Sequence, residues 1–223
     1  MIIKNNINIK IIGDSLAAGV GSSNIEETKN ILYRDKLKKY YQVKTVHAWH
    51  NLLENYLNNN NIKCTINNYG AVGAFSYQVN KNLNKLVSKE DDLVIILVGI
   101  NDRKRKNGLY ELRVNLSNII DKLKSMNKQI IVLTPNPSIK QNEYYKNRIY
   151  HTKDIVKVIK DVTEEKKVLL IDIYEYINLY LVEKNINLED IIYGENSRND
   201  GFHPSDTVQK IIFECIKKEI EVK

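Results

Sequence analysis

Three runs decide most of what this chain can become. Residues 92–99 ("DLVIILVG"), 129–135 ("QIIVLTP") and 167–173 ("KVLLIDI") are continuously apolar and rich in β-branched residues. A strand with one face in water alternates apolar and polar side chains, whereas a strand covered on both faces need not. Such runs therefore predict a parallel sheet with helices on either side. Two further segments of strand length, 7–13 ("INIKIIG") and 64–70 ("CTINNYG"), bring the expected sheet to five strands.

Between these runs the apolar spacing turns helical. Leu52, Leu53, Tyr56 and Leu57 form one stripe, and Leu112, Leu116, Ile119, Ile120 and Leu123 a second. A third, after the last strand, comprises Val208, Ile211, Ile212, Cys215 and Ile216, with Ser205 or Asp206 placed to cap its first turn. Strand and helix alternate along the chain. Parallel neighbours cannot be joined by a tight turn, so the alternation predicts right-handed crossovers and an α/β fold. With only three prolines and nine glycines there is no Pro/Gly-rich linker, and residues 1–223 are expected to form one domain.

Reactive loops of open parallel sheets sit at the carboxyl ends of the strands, and the unusual residues of this chain fall there. "GDS" follows the first strand, "GAVGAFS" the second, "GINDRKR" the third and "PNPS" the fourth, while "NDGFHPS" precedes the final helix. Ser15 is a candidate nucleophile, provided that a base takes its proton and donors await the oxyanion. Of the four histidines, His203 has Asp200 three positions before it, so a turn can bring that carboxylate to Nδ1 and leave Nε2 facing outward. A D-x-x-H spacing is equally compatible with a plain turn leading into a helix. The Ser15 N–H at the start of an expected helix, the Gly73 N–H and the Asn101 side-chain amide are candidate oxyanion donors. His47 and His50, expected one turn apart on a helix, lack a third ligand and read as core or surface residues, and His151 is expected on another helix.

The segments "GDSLAAG", "NYGAVG", "GIND" and "DGFHP", in this order, resemble the sequence blocks of the SGNH hydrolases, also called GDSL esterases and lipases. No block is specific alone; their conjunction is. The resemblance implies a flavodoxin-like three-layer α/β/α sandwich and hydrolysis of carboxylic esters without metal or organic cofactor. It further implies Ser15 as nucleophile, His203 as base, Asp200 as its orienter, and Ser15, Gly73 and Asn101 as the oxyanion hole. The substrate is then a small-molecule or glycan ester. Removal of acetyl groups from a carbohydrate is the alternative within that chemistry.

Two features depart from the family pattern. Residues 22–45 are longer than the usual stretch after the nucleophile and are expected to be an insertion bordering the site, either a lid or a surface excursion. The basic run "RKRK", Arg103 to Lys106, is expected to be a solvated loop, with positive charge at the substrate entrance as the other reading. The net charge of +7 accompanies a general enrichment in Lys, Asn, Ile and Tyr, so nucleic-acid binding is not expected. A nucleotide- or flavin-binding module, the reading from another class, lacks G-x-G-x-x-G or a P-loop after the first strand. Cys64 and Cys215 read as free thiols. Trp49 and the tyrosines from Tyr174 to Tyr193 read as packing residues. No run approaches membrane-spanning length, and a cytoplasmic location is the default expectation.

Overall fold

A computed structural model describes residues 1–36, 38–194 and 199–222. Leu37, inside the segment 22–45, lies outside the described residues, as do 195–198 and Lys223. In chain order the strands are β1 (Ile2–Ile3), β2 (Ile7–Gly13), β3 (Glu26–Asp35), β4 (Lys38–Lys44), β5 (Cys64–Gly70), β6 (Leu93–Leu97), β7 (Gln129–Leu133), β8 (Leu169–Ile171) and β9 (Glu221–Val222). The helices are α1 (Trp49–Asn59), α2 (Ser76–Lys81), α3 (Leu83–Leu86), α4 (Gly108–Ser125), α5 (Lys140–Glu143), α6 (Thr152–Lys166), α7 (Ile173–Lys184), α8 (Glu189–Ile192) and α9 (Asp206–Glu219).

Five parallel strands form the main sheet in the order β5-β2-β6-β7-β8. This is the flavodoxin-like order, in which the first strand of the sheet lies between the second and third. Successive strand residues face opposite layers. Leu93, Ile95 and Leu97 of β6 pack with α1, α7 and α9, whereas Val94, Ile96 and Val98 pack with α2, α3, α4 and α6. The continuous apolar runs are thus two interleaved faces, each Leu or Ile stabilising its layer by about 1.5–3 kcal/mol over exposure. The three apolar stripes anticipated from spacing are the buried faces of α1, α4 and α9, with Leu52 and Tyr56 only half-buried. Ser205 caps α9 by accepting the Val208 N–H.

Strands β3 and β4 pair as an antiparallel hairpin outside the main sheet. It leans on the sheet layer through Leu32, Tyr33 and Tyr40, the two tyrosine rings stacking at 4.6 Å. Parallel register aligns Gly13 with Gly70 and with Leu97, so β2, β5 and β6 end level. The loops that follow start from one rim.

Candidate active site

Ser15 sits two residues beyond the end of β2. The expected helix there is absent: Ala18 N–H bonds Asp14 O and Val20 N–H bonds Ser15 O, closing turns instead. The reason is local, since Gly19 and Gly21 adopt positive φ and the chain turns back before a helix can extend. The Ser15 N–H therefore has no helix dipole behind it.

His203 approaches from the far end of the chain, in the loop before α9. Its Nε2 lies 3.0 Å from Ser15 Oγ and its Nδ1 2.6 Å from Asp200 Oδ2. Asp200 Oδ1 also accepts the N–H groups of Phe202 and His203. Burial works against ionisation of Asp200, but hydrogen bonds from the His203 ring and these backbone donors prevail and hold its carboxyl down at about 2. An ionised Asp200 only accepts, so the ring proton belongs on Nδ1 and the Nε2 lone pair faces the serine.

Several contacts fix this loop. Asn136 donates to Phe202 O, Ile139 N–H to Gly201 O, and the Asn142 side chain to Asp200 O. On the other side, Asp206 accepts the Ser23 N–H and hydroxyl, tying the start of α9 to the segment after Ser15.

Gly73 follows β5 with φ +78, and among the described residues its N–H and that of Ser15 have no acceptor. Asn101 follows β6, 5% exposed. Its amide donates to Ala74 O at 3.0 Å and its Oδ1 accepts from Lys104 Nζ at 2.7 Å. The second amide proton is left for the cavity. Ser15, Gly73, Asn101, Asp200 and His203 all line one cavity of about 310 Å³, together with Lys38, Lys104 and Arg148. All the predicted site residues are thus brought together.

The basic run is not a solvated loop. Arg103 is 1% exposed, held by Glu143, Thr152 and Asn142, and Lys104 is half-buried at the cavity; only Lys106 stands free in solvent. Burial, then the charges of Arg148 and Arg103, lower the Lys104 ammonium to about 8. Of the histidines, His47 lies in an exposed bend rather than a helix, His50 is buried in α1 with its ring pushed down to about 4 by burial, and His151 is the N-cap of α6. Trp49 is fully buried, its indole donating to Leu16 O, and Tyr176 and Tyr180 pack on the core, although Tyr193 is exposed. Cys64 and Cys215 are free thiols. No group of three or more His, Cys, Asp or Glu able to hold a metal occurs among the described residues, and no helix there is long and apolar enough to cross a membrane.

Sequence reasoning missed two buried carboxyls behind the site. Asp14, raised to about 7 by burial, has one oxygen without a partner, and Asp102, raised to about 6 by burial, accepts the Ser76 N–H and hydroxyl. Their only trace in sequence is their place beside Ser15 and Asn101. Lys38 and Arg148 carried no signal, because each comes from a segment remote from every motif.

The model of the GDSL-like lipase/acylhydrolase family matches residues 11–211. The chain belongs to that family. This acylhydrolase is accordingly an ester hydrolase. Among curated protein sequences none matches it. Solved structures share its fold. An acetylxylan esterase from Geobacillus stearothermophilus has a TM-score of 0.72 at 21% identity, over 98% of this chain and 96% of its own. A lipase/acylhydrolase from Enterococcus faecalis has a TM-score of 0.71 at 22% identity, over 96% and 94%. Catalytic mutants of the Geobacillus enzyme replace a serine, an aspartate or a histidine with alanine; the serine mutant has a TM-score of 0.72 at 20% identity, over 98% and 96%.

Proposed function

We propose that this acylhydrolase cleaves esters of short carboxylic acids through an acyl-enzyme on Ser15. The observation that carries the reading is the single imidazole of His203, bonded through Nδ1 to an ionised carboxylate while Nε2 meets the Ser15 hydroxyl at 3.0 Å. Ser15 Oγ attacks the carbonyl carbon as its proton passes to Nε2, and Asp200 stabilises the imidazolium. Negative charge developing on the carbonyl oxygen falls to the Ser15 and Gly73 N–H groups and the Asn101 amide. Nε2 then returns its proton to the departing alcohol. Water, deprotonated by the same nitrogen, attacks the acyl-enzyme and releases the carboxylic acid.

A cavity near 310 Å³ stands at the small end of ligand sites, which favours a short acyl group. Acetylated glycans are the second reading. The Geobacillus relative is an acetylxylan esterase, and its mutated aspartate and histidine are three positions apart, as Asp200 and His203 are. We read the β3–β4 hairpin as an insertion that builds one wall of the site, since it stands outside the main sheet yet contributes Lys38 to the cavity. The free thiols favour a reducing, cytoplasmic location, which cell fractionation tests.

The decisive experiment labels the protein with a serine-directed fluorophosphonate, maps the adduct, and measures hydrolysis of acetyl to octanoyl esters by the parent and Ser15→Ala. Label on Ser15, activity falling with chain length and an inactive variant are expected. An unlabelled Ser15 with equal activity in the variant overturns the mechanism.

A further inference from the structure

We propose that the natural substrate carries an anionic group, a carboxylate, phosphate or sulfate, close to its scissile ester, and that Lys38, Lys104 and Arg148 receive it. This rests on the acyl-transfer reading of Ser15 and adds a substrate class to it.

The three cations share the cavity with the Ser15 hydroxyl, and among the described residues none forms an ion pair. Their neighbours in sequence and space do. Arg103 is bound to Glu143 and Arg105 to Glu111, so carboxylates are at hand for the basic side chains that point away from the cavity. Those that face it hydrogen-bond to neutral groups, while Glu143 and Asp200 act on Arg148, and Asp14 on Lys104, without forming an ion pair among the described residues. Lys38 Nζ is 3.5 Å from Val72 O and lies over the Tyr40 ring, Lys104 Nζ donates to Asn101 Oδ1, and Arg148 donates to Asn147 Oδ1. The Arg148 Nε is buried with no hydrogen-bond partner at all. Among the described residues the one carboxylate lining the cavity, Asp200, is engaged by the His203 ring and two backbone N–H groups.

Like charges gathered around a partly desolvated cavity repel one another; burial first, and then the charges of Arg148 and Arg103, lower the proton affinity of Lys104. An anion supplied by the substrate removes that repulsion and gives the orphaned guanidinium N–H an acceptor. A neutral ester does neither. The cations come from three separate segments, the hairpin, the turn after Asn101 and the loop after α5, so their meeting is not a by-product of one basic run.

The test compares two pairs of esters matched in size. 4-Nitrophenyl succinate against 4-nitrophenyl 4-methylpentanoate, each corrected for its uncatalysed hydrolysis, places the charge on the acyl side; 3-acetoxybenzoate against 3-acetoxybenzamide places it on the alcohol side. For at least one pair, kcat/KM is expected to favour the charged ester by about tenfold or more at low salt, the preference shrinking as ionic strength rises to about 0.5 M. In Lys38→Met, Arg148→Met and the double variant, the charged-to-neutral ratio is expected to fall stepwise. Neutral and charged esters within about twofold in both pairs, a preference insensitive to salt, or a ratio unmoved by the double variant would each overturn the proposal. The salt series on the parent protein decides the matter even if the variants fold poorly. Failure of the underlying mechanism looks different: none of the four esters is turned over, or Ser15→Ala turns them over as the parent does.

Discussion

The guanidinium of Arg103 lies 4.9 Å from the centroid of the Phe202 ring, the residue just before His203. From that position it also reaches Asn142, whose side chain in turn holds Asp200 O, and the Glu143 and Thr152 side chains. A residue read in sequence as solvated is the brace of the Asp200–His203 loop. Replacing Arg103 with Met takes from Glu143 its guanidinium, leaving the Ser138, Thr152 and His151 donors, and frees the loop. The expected result is a loss of about 3 kcal/mol in urea unfolding, together with a fall in kcat.

Gly21 is where the serine turn and the histidine loop touch. Its φ is +106, and an added Cβ would lie 2.6 Å from Pro204 O and 2.7 Å from His203 C, both backbone atoms that cannot swing aside. Gly21→Ala is therefore expected to push His203 away from Ser15. A displacement of an ångström at a reacting centre costs about 100-fold. Ester turnover should drop by that order while far-ultraviolet circular dichroism keeps the parent signal; undiminished turnover would show that the two loops move together.

Asn101→Ala removes the side-chain amide proposed to meet the oxyanion and is expected to lower kcat by about 100- to 1,000-fold with a smaller effect on KM. Lys104 holds Asn101 Oδ1, so it sets which way the amide faces. In a double-mutant cycle measured on a neutral ester, the Lys104→Met effect should largely vanish once Asn101 is gone.

Asp14 and Asp200 give stability opposite dependences on pH. Burial raises the Asp14 carboxyl from 3.8 to about 7, so the folded chain keeps a proton that the unfolded chain releases. That contribution is complete below about pH 4, is lost as pH rises towards 7, and is flat above, at about 1.4 kcal/mol per unit of displacement. The stability of Asp14→Asn relative to the parent, from urea unfolding, should therefore grow between pH 4 and 7 and then level. Asp200 is displaced downward, and its contribution is present above its unfolded value and lost as pH falls towards 2.

What sequence alone determined was local and periodic. Runs such as "DLVIILVG" read as strands covered on both faces and the stripes of α4 and α9 as faces turned to a core, while the flavodoxin-like arrangement was implied by the resemblance of four sequence blocks to a known family. Ser15, Gly73 and Asn101 were readable as candidates because each lies just beyond an expected strand, and the observed level register of Gly13, Gly70 and Leu97 brings their loops to one rim. Contacts across long separations were not. The β3–β4 hairpin buries few of its residues and so has little alternating pattern to betray it, and the turn after Ser15 depends on hydrogen bonds that compete with a helix of similar composition. Whether a basic side chain is solvated, braced or left facing a cavity depends on which carboxylates the fold carries to it. Arg103 met Glu143 and Lys104 met none, although the two are adjacent in the chain, because only packing decides which side of the backbone each one faces.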